Sequence, residues 1–339
     1  MTIGGGDSNG HLLGILVSTF SVLTWAAVSI LVSKMASKYD ALQITAYGIF
    51  IAAVCNFPFY FYELSLTQNV HFNWIIILSF LYMGLICASR VGYDYVSLRP
   101  IYMSLPGEPN FSLENKELMR KTKKALAETG VKLLDIELAK IYDGVDLRNY
   151  LSAMEAAAEL GGKHVLSSIW SDDHNYGIER FAELCELAKP FGLTVELEFV
   201  PIASVHNLAG AHDVLRTAKQ ENAGLMIDIH HFHRSGDKVE DLDSVPREWF
   251  RFLHLCDAVK EIPTSMEEMT RILREERLYV GEGGIDVASI IDRIPEIPCS
   301  IELPNIKRVE AFGYEEHARR CLQSANKYFD QHSSLELCS

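Results

Sequence analysis

The chain changes character between residues 85 and 92, and this change constrains the fold more than any other feature. Residues 11–32, 41–62 and 64–89 contain no Asp, Glu, Lys or Arg, and about 20 apolar residues in a helix cross the hydrocarbon core of a bilayer. From residue 92 onward, charged residues are dense and apolar runs alternate with amphipathic ones. The sequence therefore predicts a membrane segment followed by an α/β domain.

Residues 1–88 are predicted to form about three transmembrane helices, near residues 11–34, 41–62 and 73–89. A buried helix of a soluble protein is the alternative for any one of these runs, but three in succession favour membrane spans. Lys34 and Lys38 lie between the first two spans, whereas the next loop holds Glu63 and no basic residue. The three runs predict a membrane location with the lipid bilayer as a partner. The positive-inside rule then predicts that the C-terminal domain lies in the cytoplasm.

The first run contains Trp25 with Ala26 and Ala27 beside it, and it ends at the basic residue Lys34; the second run leaves through Pro58 toward Glu63. In these features, residues 10–88 resemble a truncated EamA-type repeat of the drug/metabolite transporter superfamily. Intact members of that family carry two such repeats, and a solute path needs several helices packed around it. The resemblance therefore implies a membrane anchor or a transporter fragment, and a chimeric chain.

Residues 89–330 are predicted to form a (β/α)8 TIM-barrel-like domain that lacks its first strand, followed by a tail at 331–339. A spacing of about 30 residues per strand–helix unit is typical of this barrel. A doubly wound open sheet is the alternative, but no glycine-rich fingerprint follows the first strand. The seven predicted strands are Tyr93–Leu98, Leu133–Leu138, His164–Ile169, Thr194–Val200, Leu225–Ile229, Phe250–Leu255 and Ser300–Leu303.

Charge and cysteine usage exclude several classes of protein. The chain has 31 Lys and Arg against 45 Asp and Glu, a net charge of −14. Residues 1–90 are neutral overall, so the acidic excess falls on the second part and argues against a nucleic-acid partner. The seven cysteines show no CxxC spacing, which argues against a disulfide framework or a structural zinc site.

Four strand ends carry side chains that can bind a hard metal ion. Glu198 ends the run TVELE, Asp228 ends LMID, His254 lies in FLHLCD and Glu302 lies in SIELPN. Because strand C-termini converge on one face of a barrel, four strands can place these groups around one ion. Two Glu, one Asp and one His suit Mn²⁺, Mg²⁺ or Co²⁺ better than a thiolate-type zinc site. The sequence therefore predicts a divalent-metal cofactor.

Six segments of the second part carry a family resemblance: GYDYVSLR, VELEFVP, MIDIHHFHRSGD, FLHLCDA, ERLYVGEGGIDVASIIDRIP and CSIELPN. They are similar to the sugar phosphate isomerase/epimerase superfamily, the xylose isomerase-like TIM barrels. The resemblance implies that Glu198, Asp228, His254 and Glu302 bind the cation and that His231 binds substrate. It also implies that Glu198 and Glu302 exchange protons with the substrate carbons.

This resemblance predicts a divalent-metal-dependent isomerase or epimerase for a sugar, a sugar phosphate or a related hydroxy-keto compound. Such reactions remove a proton next to a carbonyl, and a metal that chelates the carbonyl and a hydroxyl stabilises the enediolate. A lyase of the same superfamily, a transporter fragment and an inactive fusion are the alternatives. A homo-oligomer is compatible with all of them.

We make predictions for three further residues, two of which have an alternative interpretation. Arg234 is a candidate substrate-binding residue, and the alternative is a surface salt bridge. Glu282, in the GEG loop, is a candidate for the substrate-binding lid side, and the alternative is a plain glycine turn. His230, which lies beside His231, is predicted to face outward.

Overall fold

The computed structural model describes residues 88–89, 91–102 and 115–333, and the fold is given for those residues. The predicted membrane spans lie outside this part of the chain, apart from the helical residues Ala88 and Ser89 at the end of the third. No helix within the described ranges is long and apolar enough to cross a bilayer. The N-terminal spans, the membrane location and the bilayer as a partner stay predictions.

Seven parallel strands form one sheet in the described part of the chain, and each is hydrogen-bonded to the next in chain order. The predicted TIM-barrel-like α/β fold is confirmed. The strands are β1 (Tyr95–Leu98), β2 (Lys132–Ile141), β3 (His164–Ile169), β4 (Thr194–Glu198), β5 (Ala223–Asp228), β6 (Phe250–Leu255) and β7 (Cys299–Ile301). All six residues of β5 are buried, because helices cover one face of such a sheet and the barrel interior encloses the other.

Helices connect the strands, and polar caps fix where several of them start. Asn115 accepts hydrogen bonds from the backbone of Glu117 and Leu118 at the first helix, which ends at Gly130 in the left-handed conformation. Such caps satisfy backbone groups that have no partner within the helix. The helices are α1 (Lys116–Thr129), α2 (Leu151–Glu159), α3 (His174–Ala188), α4 (Leu208–Ala218), α5 (Ile229–Arg234), α6 (Met266–Glu275), α7 (Val287–Ile291) and α8 (Ile306–Ser333, interrupted at Gly313).

Short 3₁₀ helices at Leu147–Tyr150, Lys189–Phe191, Val239–Ser244 and Arg247–Trp249 complete the connections. The short helices α5 and α7 were not predicted, because five or six residues are too few to show a helical period. The helix α8 continues to Ser333, so residues 331–333 of the predicted tail are helical. The domain bounds stay a prediction.

The core has two parts that face opposite sides of the sheet. Residues such as Ile136, Val165 and Leu225 pack between the strands and the helices. A smaller cluster of Leu134, Leu166, Met226 and Phe252 fills the barrel interior. Side chains alternate along a strand, so the residues that follow this interior cluster toward the strand C-termini also point inward.

The outer strands β1 and β7 are the two edges of the sheet, and no strand register joins them. A cavity of about 1190 Å³ lies between these edges, lined by both strands and by one side of α8. The cavity extends inward to His254 and Glu302. We call this opening the seam. It lies where the sequence predicted the barrel to lack a strand.

Candidate functional site

The predicted metal ligands meet at the C-terminal face of the barrel. Glu198 is the last residue of β4, Asp228 is the last of β5, and Glu302 directly follows β7. Strand register sets Asp228 beside His254, and His254 beside Ser300. One ligand atom from each of the four residues lies within 4.8 Å of all the others. The structure therefore brings the whole predicted ligand set together.

The histidine lies among the three carboxylates. The Nδ1 atom of His254 lies 3.1 Å from Oε2 of Glu302, 3.8 Å from Oε1 of Glu198 and 3.9 Å from Oδ2 of Asp228. Glu198, Asp228 and His254 are buried, whereas the Glu302 side chain is 33% exposed. Buried carboxylates are costly unless a cation neutralises them. Their convergence, with three oxygen donors and one imidazole, fits a hard or borderline divalent ion.

Arg277 is the functional residue that the strand-end pattern missed. It is fully buried, and its Nη1 atom lies 2.6 Å from Oδ2 of Asp228 and 3.1 Å from Oε2 of Glu302. Burial opposes its charge, but Asp228 and Glu302 raise the pKa of Arg277 well above its usual value. The guanidinium therefore stays charged and offsets part of the negative charge of the set.

The two glutamates are driven toward opposite protonation states. Burial, followed by the charge of Glu302, raises the pKa of Glu198 well above its usual value. Burial alone would also raise the pKa of Glu302, but Arg277 and His254 hold it well below its usual range. Burial opposes charge on His254 as well, yet Glu302 above all raises the pKa of His254 to about 10. Without a bound ion, the surroundings thus favour the neutral form of Glu198, the ionised form of Glu302 and the charged form of His254.

His231 joins the set through the first turn of α5. Asp228 caps this helix, because its Oδ1 accepts a hydrogen bond of 2.9 Å from the backbone N–H of His231. The Nε2 atom of His231 lies 3.7 Å from Oε1 of Glu198 and 3.9 Å from Oδ2 of Asp228. Burial lowers the pKa of His231 to about 4. A neutral imidazole therefore adjoins the ligands, and the substrate-binding role of His231 stays a prediction.

The prediction that His230 faces outward is wrong. The side chain is fully buried, and neither ring nitrogen has a hydrogen-bond partner among the described residues. The reason is that α5 follows directly after Asp228 and packs against β5 and β6. Burial lowers the pKa of His230, so this ring is neutral.

Arg234 lies at the end of α5 and is also buried. Its Nη1 lies 2.9 Å from Nδ1 of His233, while its Nε and Nη2 have no partner in the described part of the chain. The surface salt bridge proposed as the alternative reading is therefore wrong. No hydrogen bond or ion pair joins Arg234 to the four ligand residues in these ranges, so its substrate-binding role stays a prediction.

The backbone of the GEG loop binds an aspartate, and the Glu282 side chain of this loop does not contact the ligand residues. The backbone N–H groups of Gly281 and Gly283 donate to Oδ2 of Asp257, at 3.0 and 2.9 Å. The Glu282 side chain is 48% exposed and pairs with Arg308 at 2.6 Å. The structure therefore does not bring Glu282 to the four ligand residues, because its carboxylate is engaged on the outer surface.

A family model for the xylose isomerase-like TIM barrel matches residues 87–325. The chain belongs to this family. The resemblance of the second part to xylose isomerase-like barrels is confirmed. The EamA-type resemblance lies almost entirely outside the matched residues and stays a prediction.

Several relatives that the chain matches in sequence are named inosose isomerases. The inosose isomerase of Bacillus subtilis (strain 168) is 25% identical over 194 residues, which cover 53% of this chain and 66% of that protein. The chain thus spans slightly less than two thirds of that relative.

Solved structures share the fold of the barrel. The IOLI protein with a bound zinc atom has a TM-score of 0.61 and 20% identity, over 72% of this chain and 90% of that one. A D-allulose 3-epimerase from Methylomonas sp. has a TM-score of 0.51 and 14% identity, over 74% and 92% of the two chains. At these identities the likeness shows the fold alone.

Proposed function

We propose that the chain is a divalent-metal-dependent isomerase or epimerase of a sugar or a related hydroxy-keto compound. The observation that carries this proposal is the convergence of Glu198, Asp228, His254 and Glu302 at the C-terminal face of the barrel. Active sites of such barrels lie at that face. The similarity to an inosose isomerase and to the fold of a D-allulose 3-epimerase supports the substrate class.

The four converging residues would hold the cation. When bound, the cation would supply Lewis acidity toward a carbonyl and a neighbouring hydroxyl of the substrate. The zinc atom in the IOLI structure supports a divalent ion, and the donor set suits Mn²⁺, Mg²⁺ or Co²⁺. Arg277 would orient Asp228 and Glu302, to which it is paired by direct contacts.

Glu302 and Glu198 form the acid–base pair of the proposal. The Glu302 carboxylate accepts a proton from the carbon next to the carbonyl, and the Glu198 carboxyl donates one to the adjacent carbon or to the opposite face. Proton exchange with water then restores both groups for the next turnover. Two carboxyl groups whose environments separate their pKa values are suited to these two roles. Return to the adjacent carbon gives isomerisation, and return to the opposite face gives epimerisation.

His231 positions a substrate oxygen in this scheme. Its Nδ1 atom has no hydrogen-bond partner among the described residues, and its Nε2 faces Glu198 and Asp228. Because burial keeps the ring neutral, one nitrogen donates and the other accepts. The ring is therefore able to hold a substrate hydroxyl beside the carboxylates without adding charge.

The test is hydrogen exchange at the substrate carbon. The full chain is incubated with Mn²⁺ in D₂O with myo-inosose or D-fructose, and deuterium at the carbon next to the carbonyl is followed by NMR. We expect exchange with at least one ketone, and a rate lower by at least about 100-fold in Glu302→Gln, because general base catalysis contributes about 10²–10⁴-fold.

Glu155→Gln is the matched control, because this glutamate is exposed on α2. Its exchange rate should equal that of the wild type. No exchange with either ketone, or an unchanged rate in Glu302→Gln, would contradict the proposal. Loss of water from the ketone would favour the lyase alternative instead.

A further inference from the structure

Lys140 points into the barrel close to the candidate ligands but is not one of them. It is the next-to-last residue of β2 and pairs in register with Ser168 of β3. Ser167 pairs with Leu197 of β4, so the next step of this register sets Ser168 beside Glu198. Adjacent strands lie about 4.8 Å apart, which separates the main chains of Lys140 and Glu198 by about 10 Å.

The direction of the Lys140 side chain follows from its neighbours. Ala139 and Ile141 belong to the core between strands and helices, so the residue between them faces the barrel interior. Its Nζ atom lies 3.9 Å from the centre of the Trp170 ring, and the ring N–H donates to Oγ of Ser168 at 2.9 Å. The ammonium group is therefore held over an aromatic face at the mouth of the barrel.

Arg274 is a second positive charge that acts on Lys140. It lies in the last turn of α6, three residues before Arg277, whose guanidinium contacts Asp228 and Glu302. Burial, and then the charge of Arg274, lowers the pKa of Lys140. The two cations are therefore close enough to repel each other.

No carboxylate among the described residues forms an ion pair with Lys140 or Arg274. Other lysines of this part are paired, as Lys123 is with Glu159 and Lys189 is with Glu186. One ammonium group over an aromatic ring and a second positive charge acting on it, without a described counter-ion, create a positive potential at the mouth. An anion bound between them would remove their mutual repulsion.

We propose that Lys140, Arg274 and Trp170 form a subsite for an anionic group of the substrate, a phosphate or a carboxylate far from the carbonyl. This inference rests on the proposed function, because the subsite lies about 10 Å along the barrel mouth from Glu198. It narrows the substrate class to acidic or phosphorylated hydroxy-ketones. Cationic side chains bind both groups through charge-assisted hydrogen bonds.

The test measures binding without turnover. D-Glucitol, D-glucitol 6-phosphate and D-gluconate lack the ketone carbonyl, and their affinities for the full chain are measured by calorimetry with Mn²⁺ present. We expect at least one of the two anions to bind about tenfold more tightly than D-glucitol. A preference for one anion identifies the group as phosphate or carboxylate.

Variants assign the effect to the subsite. Lys140→Met and Arg274→Gln should each weaken binding of the favoured anion by about tenfold and leave D-glucitol unchanged, whereas Lys140→Arg should retain most of the affinity. Lys132→Met is the matched control, because Lys132 begins the same strand and lies 6.0 Å from the Tyr95 ring. Arg274 is exposed on a helix end, so its substitution keeps the test valid if Lys140→Met fails to fold.

Equal affinity for D-glucitol and both anions would overturn the subsite. An anion affinity that is unchanged in both Arg274→Gln and a folded Lys140→Met would also overturn it. The same holds if Lys132→Met loses as much anion affinity as these two variants do. Deuterium exchange reports on the proposed reaction separately. Tight anion binding without deuterium exchange would contradict the proposed reaction but support the subsite. Deuterium exchange without a preference for anions would support the reaction but contradict the subsite.

Discussion

At the scale of single residues, His254 couples metal binding to pH. Glu302 raises the pKa of His254 to about 10, so the ring is charged at pH 7, and a charged imidazole cannot ligate. Binding of Mn²⁺ must then release a proton, and the affinity should increase as pH rises from about 6 to about 9. Calorimetry in buffers of different ionisation enthalpy counts the protons released.

A pH-independent affinity without proton release would contradict this coupling. The Glu198→Gln/Asp228→Asn double variant tests the ligands themselves and should lose at least about 100-fold in Mn²⁺ affinity. Wild-type affinity in that variant would exclude both residues as ligands. Glu282→Gln serves as the control, since its carboxylate pairs with Arg308 instead.

Asp135 links the stability of the fold to pH. It is fully buried beside Ser97, and burial above all raises its pKa from 3.8 to about 7. The folded state therefore binds the proton more tightly than the unfolded state, and stability falls as pH rises from about 4 to about 7. The upper bound on this loss is about 4 kcal/mol.

Urea denaturation at several pH values measures this effect. Asp135→Asn should gain stability over the wild type at pH 8, and the difference should shrink toward pH 4. Glu155→Gln, at an exposed position of α2, should show no such trend. A difference that does not change with pH would show that Asp135 is not protonated preferentially in the folded state.

At the scale of elements, the GEG loop depends on a glycine that allows close approach. A Cβ atom on Gly283 would overlap the Ala258 carbonyl oxygen and the Asp257 carboxylate. Gly283→Ala should therefore lower the free energy of unfolding by about 2–4 kcal/mol, because main chain must move. Gly210→Ala is the control, because its new Cβ would meet only side chains, the nearest atom being Oδ1 of Asn207 at 3.2 Å. The free energy of unfolding of this variant should change by no more than about 1 kcal/mol. Equal effects in chemical denaturation would contradict the steric reason.

The strands and the four ligand residues could be predicted because parallel strands impose a simple rule. Glu198, Asp228 and Glu302 follow apolar runs, and the C-terminal ends of such runs meet. Arg277 does not follow this rule. It lies in the long connection between α6 and β7, and only the folded path of this connection brings it to the site. The pairing of Glu282 with Arg308 could not be predicted either, because the contact of its loop with Asp257 depends on tertiary structure.

At the scale of the whole molecule, the described sheet is open and has two edge strands. Among the described residues, β1 and β7 each have one strand neighbour, whereas β4 has two. Edge amides open more readily than central ones. Hydrogen exchange followed by mass spectrometry should therefore show the strongest protection in β3 to β5 and the weakest in β1 and β7. Uniform protection across the sheet would indicate that the ends are joined in solution.

The seam gives Glu302 a side passage to water. Its carboxylate is 33% exposed, and the cavity between β1 and β7 reaches it from outside the barrel. A substrate that enters through the mouth leaves this passage open. We therefore expect the proton that Glu302 removes to pass to bulk water through the seam, while Glu198, itself protonated by the solvent, supplies the proton that returns to the substrate. The product would then carry the hydrogen isotope of the solvent and not that of the substrate.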